Sequence, residues 1–199
     1  MAIVDKVMGH WTLSYHMHGV QKFLAETILD PPKVRGFLDR LQEVSVLFGR
    51  AQIEAGADLL CIADHATGDL VGPWTYRDIL LPYHKELTQR LGCPTVLHIC
   101  GNTLDRMDSI CEAGFDCFHF NSKVDARDAV AKIAGRMSLM GNVNNPEALL
   151  NGTPQEVAAQ TRYAVEAGVD VVGPECAIPL RTPLANLRAI TEAVTGAGS

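Results

Sequence analysis

No apolar run in this 199-residue sequence is long enough to span a bilayer. Residues Met1 to Gly9 lack the basic, apolar and small-residue order of a signal peptide. Basic residues are few, 17 Lys and Arg against 23 Asp and Glu, and the net charge of -6 comes with no basic cluster. Neither nucleic acid nor membrane is therefore an expected partner. No linker, low-complexity tract or break in composition divides the chain, so the expectation is a single domain over residues 1–199. There are six cysteines but no Cys-x-x-Cys, the spacing most common in structural zinc sites. Cys61 and Cys117 sit in apolar stretches, where cysteine packs as a small hydrophobe. The expected compartment is a reducing cytoplasm, in which thiols stay available for metal.

A short phrase recurs three times. Ile53-Glu54-Ala55-Gly56-Ala57-Asp58 leads into Leu59-Leu60-Cys61-Ile62, Glu112-Ala113-Gly114-Phe115-Asp116 into Cys117-Phe118-His119-Phe120, and Val165-Glu166-Ala167-Gly168-Val169-Asp170 into Val171-Val172. Each reads as a helix closed by a left-handed glycine and then a turn into a buried strand. Strands are expected at 4–9, 59–64, 94–99, 117–120, 137–142 and 170–175. Helices are expected at 33–55, 75–91, 103–113, 125–134, 154–167 and 183–194, with Thr153-Pro154 and Thr182-Pro183 as good starts. About six strand–helix units make a parallel α/β fold. A closed (β/α)8 TIM-type barrel has eight, so the chain reads as an incomplete barrel lacking N-terminal units, or as an open parallel sheet whose edges an oligomer could cover.

Polar residues gather just after the strands, where ligands bind in parallel α/β folds. They include Asp64 and His65, the run His98 to Asn102, Asn121 to Lys123, Gly141 to Pro146, and Glu175 with Cys176. His98 and Cys100 are two apart at a strand end, and Cys176 ends a later strand. One imidazole and two thiolates suit zinc, and three protein ligands with a fourth position open is the catalytic arrangement. On spacing alone the alternative stands beside it: a hydrogen-bonded core histidine and two inert cysteines. Asp64 either touches a substrate or caps a turn, and Glu175 is a ligand, a partner of a ligand or a solvated loop charge, the last slightly favoured. His65 and Asn142 are candidates for lining the pocket, while Asn144 and Asn145 read as turn residues. Lys123 reads as a solvent-exposed cation. Gly9-His10-Trp11-Thr12-Leu13 reads as a strand end with a packed aromatic, and a second metal site among His10, His16 and His18 is the lesser reading. His119, flanked by Phe118 and Phe120, reads as part of a packed strand.

The stretch His98-Ile99-Cys100-Gly101-Asn102, with Gly173-Pro174-Glu175-Cys176-Ala177-Ile178-Pro179-Leu180-Arg181-Thr182-Pro183-Leu184 further on, resembles the zinc methyltransferases of the uroporphyrinogen decarboxylase superfamily. These are the methylcobamide:coenzyme M methyltransferases and relatives acting on corrinoid proteins. The resemblance also takes in Gly9 to Leu13, Ala55 to Asp58, the Ala66-Thr67-Gly68-Asp69-Leu70 loop and Leu139-Met140-Gly141-Asn142-Val143, and it matches the C-terminal two-thirds of the family. It implies His98, Cys100 and Cys176 as zinc ligands. A glutamate that some relatives add to the zinc shell falls here at Asn121, which leaves the fourth place to water, Glu175, Asp64 or the substrate thiol.

The implied chemistry is methyl transfer between a methylated corrinoid (methylcobalamin or a corrinoid protein) and a small thiol such as coenzyme M. A free thiol has a pKa near 8.5, and zinc binding removes its proton while keeping the sulfur nucleophilic. Two rivals follow from the same family. One is a decarboxylating lyase that needs no metal, and the other is a non-catalytic barrel remnant that binds a corrinoid protein.

Overall fold

All six expected strands form, each within two residues of its expected ends, in a computed structural model that describes residues 2–196. Two compact units divide them, residues 2–99 with 105–116 and residues 100–104 with 117–196. No helix among the described residues is long and apolar enough to cross a membrane.

In the first unit β1 (Val4–Met8), β2 (Leu59–Ala63) and β3 (Thr95–Ile99) run parallel in that order, with Val4 opposite Leu59 and Leu60 opposite Thr95. β3 is buried at every position, as a strand covered on both faces must be. The long helix α3 (Pro31–Glu54) starts on Asp30, whose side chain accepts from the Lys33 amide, with two prolines in its first turn. Val34, Leu38 and Val46 form its buried stripe.

Helix α1 (His10–His18) corrects the sequence reading, which placed a strand end at Gly9 to Leu13, and α2 (Val20–Leu29) was not expected either. The expected packing of the aromatic does occur, since Trp11 is fully buried and meets Phe23 edge-on. Nothing local caps α1. Its cap comes from Asp64, 52 residues downstream at the end of β2, whose carboxylate accepts the Thr12 amide at 2.7 Å and the Trp11 amide at 3.4 Å. Helix signals that lie within a few residues could not have shown it.

The expected helix at 75–91 is broken in character. A single turn α4 (Pro73–Thr75) passes through a π-helical segment, Tyr76–Leu80, into α5 (Leu81–Leu91). Pro82 has no amide proton to give Asp78, so the α ladder cannot run unbroken across it. The 103–113 helix is likewise split into a 3-10 turn, Leu104–Arg106, and α6 (Met107–Cys111).

The second unit repeats the plan with β4 (Cys117–Phe120), β5 (Ser138–Val143) and β6 (Val171–Pro174), parallel in that order. Helix α7 (Ala126–Ile133) is capped by Asp125, and α8 (Pro154–Ala167) by a reciprocal Thr153–Glu156 box, as the Thr-Pro start suggested. Val143, Leu149 and Val157 with Ala189 and Ile190 of α9 (Leu184–Gly196) make its core. The three recurrent glycines close their helices at φ 108°, 85° and 93° for Gly56, Gly114 and Gly168.

Gly9 is required by proximity instead. A Cβ there would lie 2.2 Å from Asp64 Cγ, so the carboxylate reaches the α1 amides only because Gly9 is bare. Gly9→Ala is expected to cost roughly 1–3 kcal/mol in urea unfolding. Gly36→Ala, in the second turn of α3 with nothing within 4 Å of the added carbon, is expected to stabilise by roughly 0.5–1 kcal/mol.

Candidate metal centre

Two thiols meet in the second unit. Cys100 lies just past β3, Cys176 follows β6, and their sulfurs are 2.9 Å apart. Both are partly buried. The turn that carries Cys176 is set by its neighbour. Glu175 extends the strand by giving its amide to Val143 O at 2.9 Å. Its carboxylate accepts the Ser122 and Asn145 amides, each at 2.9 Å. At 4% exposure this is a buried side chain whose two oxygens each accept a backbone amide, not the solvated loop charge that the sequence slightly favoured.

His98, two residues before Cys100 on β3, is 4% exposed. Its carbonyl accepts the Asp64 amide at 3.0 Å and its ring meets that of His65 edge-on, centroids 5.8 Å apart. Sulfurs this close share a thiol proton or, as thiolates, need a cation beside them, and sulfur donors with an imidazole two residues upstream are the kind that zinc takes. Asn121 turns its side-chain oxygen to the Lys123 amide at 3.1 Å.

The other expected residues disperse. Asn142 donates to Val124 O and lines, with Ser122, Asp125, Asn144 and Tyr163, a cavity of about 450 Å³. Asn144 caps the π-helical segment Asn145–Leu150 by accepting the Glu147 amide, in keeping with a turn role. His119 bonds the Pro174 carbonyl at 2.8 Å from within the strand. His65 gives its amide to Thr12 Oγ1 at 2.8 Å. His10, His16 and His18 do not converge, for His18 pairs with Glu26 at 2.7 Å while His10 faces Asp64 at 4.0 Å.

Asp64 is fully buried and holds a second group of side chains. Besides the α1 amides it accepts from His84 Nε2 at 3.0 Å, and His84 Nδ1 is 2.9 Å from Tyr76 Oη. Burial pushes the Asp64 carboxyl up, but the His84 hydrogen bond, the two imidazoles and the Thr12 amide outweigh it and hold the group below the usual carboxylate range. Burial drives His10 down to about 4, so it is neutral at pH 7. The Tyr76 hydroxyl is pushed well up by the same burial and by the Asp64 charge.

Comparison with known proteins places these features. The family model for uroporphyrinogen decarboxylase (URO-D) matches residues 1–197. The chain belongs to the uroporphyrinogen decarboxylase family. Within the family it resembles a methylated-thiol–coenzyme M methyltransferase of Methanosarcina mazei, 34% identical over 97% of this chain and 53% of that protein. A methylcobamide:CoM methyltransferase of Methanosarcina barkeri is 32% identical over 96% of this chain and 57% of that one. A solved methyltransferase structure from Methanosarcina mazei, 31% identical, superimposes on the whole chain with a TM-score of 0.96 and is covered over 60% of its length. The fold is thus the α/β, barrel-type class expected, and the resemblance read from His98-x-Cys100 and the Cys176 segment holds. The chain spans about half the length of the curated relatives it matches.

Three residues of this URO-D chain went unread in the sequence. His84 sits on the apolar stripe Leu80, Leu87 and Leu91 at helical spacing, and a histidine on such a stripe is a detectable signal. Tyr76 was hidden in the π turn. Arg106, 1% exposed, donates to Ala66 O at 2.6 Å and Val71 O at 2.8 Å and so pins the loop after Asp64. No local pattern reports a contact 35–40 residues away. Glu175→Gln sets an amide NH2 against a backbone N–H, and its expected cost is about 2 kcal/mol in urea unfolding.

Proposed function

We propose that this chain works in a zinc-dependent methyltransferase that moves a methyl group between a methylated corrinoid, carried by a corrinoid protein, and a thiol acceptor such as coenzyme M. His98, Cys100 and Cys176 are the proposed zinc ligands, and the reducing cytoplasm is the proposed setting. The observation that carries the reading is the approach of Cys100 and Cys176, 76 residues apart in the chain, to 2.9 Å between sulfurs. A decarboxylating lyase would leave that pair without a task.

Bound zinc supplies a Lewis acid that keeps an acceptor thiol deprotonated at neutral pH. The chain's own part is to present the donors ready-made. The buried Glu175 fixes the backbone on the N-terminal side of Cys176, and the β3 ladder fixes His98 and hence the start of the Cys100 loop. Ligands held this way need little rearrangement when metal and thiol arrive. Asn142 and the polar cavity beside it are the proposed place for polar groups of the substrate or of the corrinoid. Asp64 and His65 belong to the same reading as residues near His98, and Glu175 as the support of Cys176.

The test is metal content together with methyl transfer from methylcobalamin to coenzyme M by the full chain. Cys100→Ser and Cys176→Ser are each expected to strip the thiolate-bound zinc and to lower the transfer rate at least about 100-fold, with the far-UV circular dichroism retained. Zinc content and turnover untouched by the double substitution would refute the assignment. Zinc bound without any turnover would favour the non-catalytic remnant.

A further inference from the structure

The first unit holds a group of donors that the thiol pair does not use. His10, Asp64 and His84 each offer a ligand atom, all three within 4.8 Å of one another, and all three residues are 0% exposed. Neither ring nitrogen of His10 has a hydrogen-bond partner among the described residues. A fully buried imidazole left this way forfeits its hydration at both nitrogens with no protein partner to offset the loss. Its Nε2 lies 4.0 Å from Asp64 Oδ2, too long for a hydrogen bond and still within the span of two atoms that share one ion.

We propose that His10, Asp64 and His84 form a second metal site, distinct from the thiol pair, that takes a divalent first-row transition ion through two imidazoles and a carboxylate. Each donor is already oriented by a further partner. The Thr12 and Trp11 amides hold the Asp64 carboxylate, and Gly9 leaves the room for it. Tyr76 Oη stands 2.9 Å from His84 Nδ1, the outer hydrogen bond that metal-bound imidazoles regularly make.

Binding requires a lone pair on His84 Nε2, which faces Asp64 at 3.0 Å. With the ring proton on Nδ1, where the Tyr76 oxygen can accept it, Nε2 is free to ligate and no net proton is lost. His10 gives up no hydrogen bond to ligate, since neither of its ring nitrogens makes one among the described residues. The Asp64 carboxylate then offsets one of the ion's two charges, so an ion bound through the carboxylate and two imidazole lone pairs carries a net charge of +1 into the cluster. Two nitrogens and one oxygen with no sulfur suit zinc, cobalt(II) or iron(II) rather than calcium or magnesium.

The experiment loads the full chain with zinc, and separately with cobalt(II), in the wild type and in a Cys100→Ser/Cys176→Ser background. The wild type is expected to hold two ions and the double variant one. Cobalt in the double variant should show ligand-field bands without the near-ultraviolet band of a cobalt–thiolate bond. Adding His10→Gln to that background should abolish the remaining ion. Should that triple variant fail to fold, the double variant itself decides the matter: its melting temperature must rise with zinc and fall again with chelator. A folded double variant that binds no zinc, or one whose zinc affinity ignores His10→Gln, overturns the proposal. One nitrogen- and oxygen-ligated ion in both the wild type and the double variant would instead sink the thiolate centre and leave this site standing.

Discussion

A buried carboxylate must find donors, and in this chain the search by Asp64 organises much of the first unit. It stands at the end of β2 with no solvent contact. Its oxygens are met by the first amides of α1 and by His84 of α5. A carboxylate at a helix N-terminus gains from the orphan amides and from the helix dipole together. One residue thereby ties a strand to two helices that are distant in sequence, and Gly9 is the opening through which it does so. His84 is fixed in turn by Tyr76, which the π turn before α5 presents.

The second unit solves a related problem with Glu175. Two backbone amides from different loops, at Ser122 and Asn145, end on one carboxylate. The consequence differs, because the residue after it is a cysteine whose sulfur sits 2.9 Å from another. A buried side chain here is a positioning device: its two oxygens each accept a backbone amide and so immobilise the backbone beside a soft donor.

What could be read from the residues follows from the range of the forces involved. Strand positions came from short apolar runs, and the helix ends at Gly56, Gly114 and Gly168 from a local need for positive φ. The start of α8 at Thr153-Pro154 is a local signal and was equally legible, although the reciprocal role of Glu156 was not read. The pairing of Cys100 with Cys176 was read from a family resemblance, since spacing alone left inert cysteines as an open alternative. The helix α1 was misread because its cap is 52 residues away. The role of Glu175 was undervalued because nothing near it in the chain shows that two distant amides point at it. Arg106, with its partners 35 and 40 residues distant, was invisible for the same reason.

The two donor groups differ in softness and in access, and those differences assign them different work. The thiol pair is partly exposed, so sulfur from outside could join it, and thiolate ligands leave a bound zinc able to exchange its remaining partner. His10, Asp64 and His84 are sealed from solvent, and no corrinoid or thiol could reach an ion among them. An ion held there would act on the fold. It would bind the first turn of α1 to the end of β2 and to α5, reinforcing the tie that Asp64 already makes, and β2 is the strand whose Asp64 amide bonds the carbonyl of His98. The buried group thus bears on the backbone at the first ligand of the proposed catalytic zinc without touching the reaction.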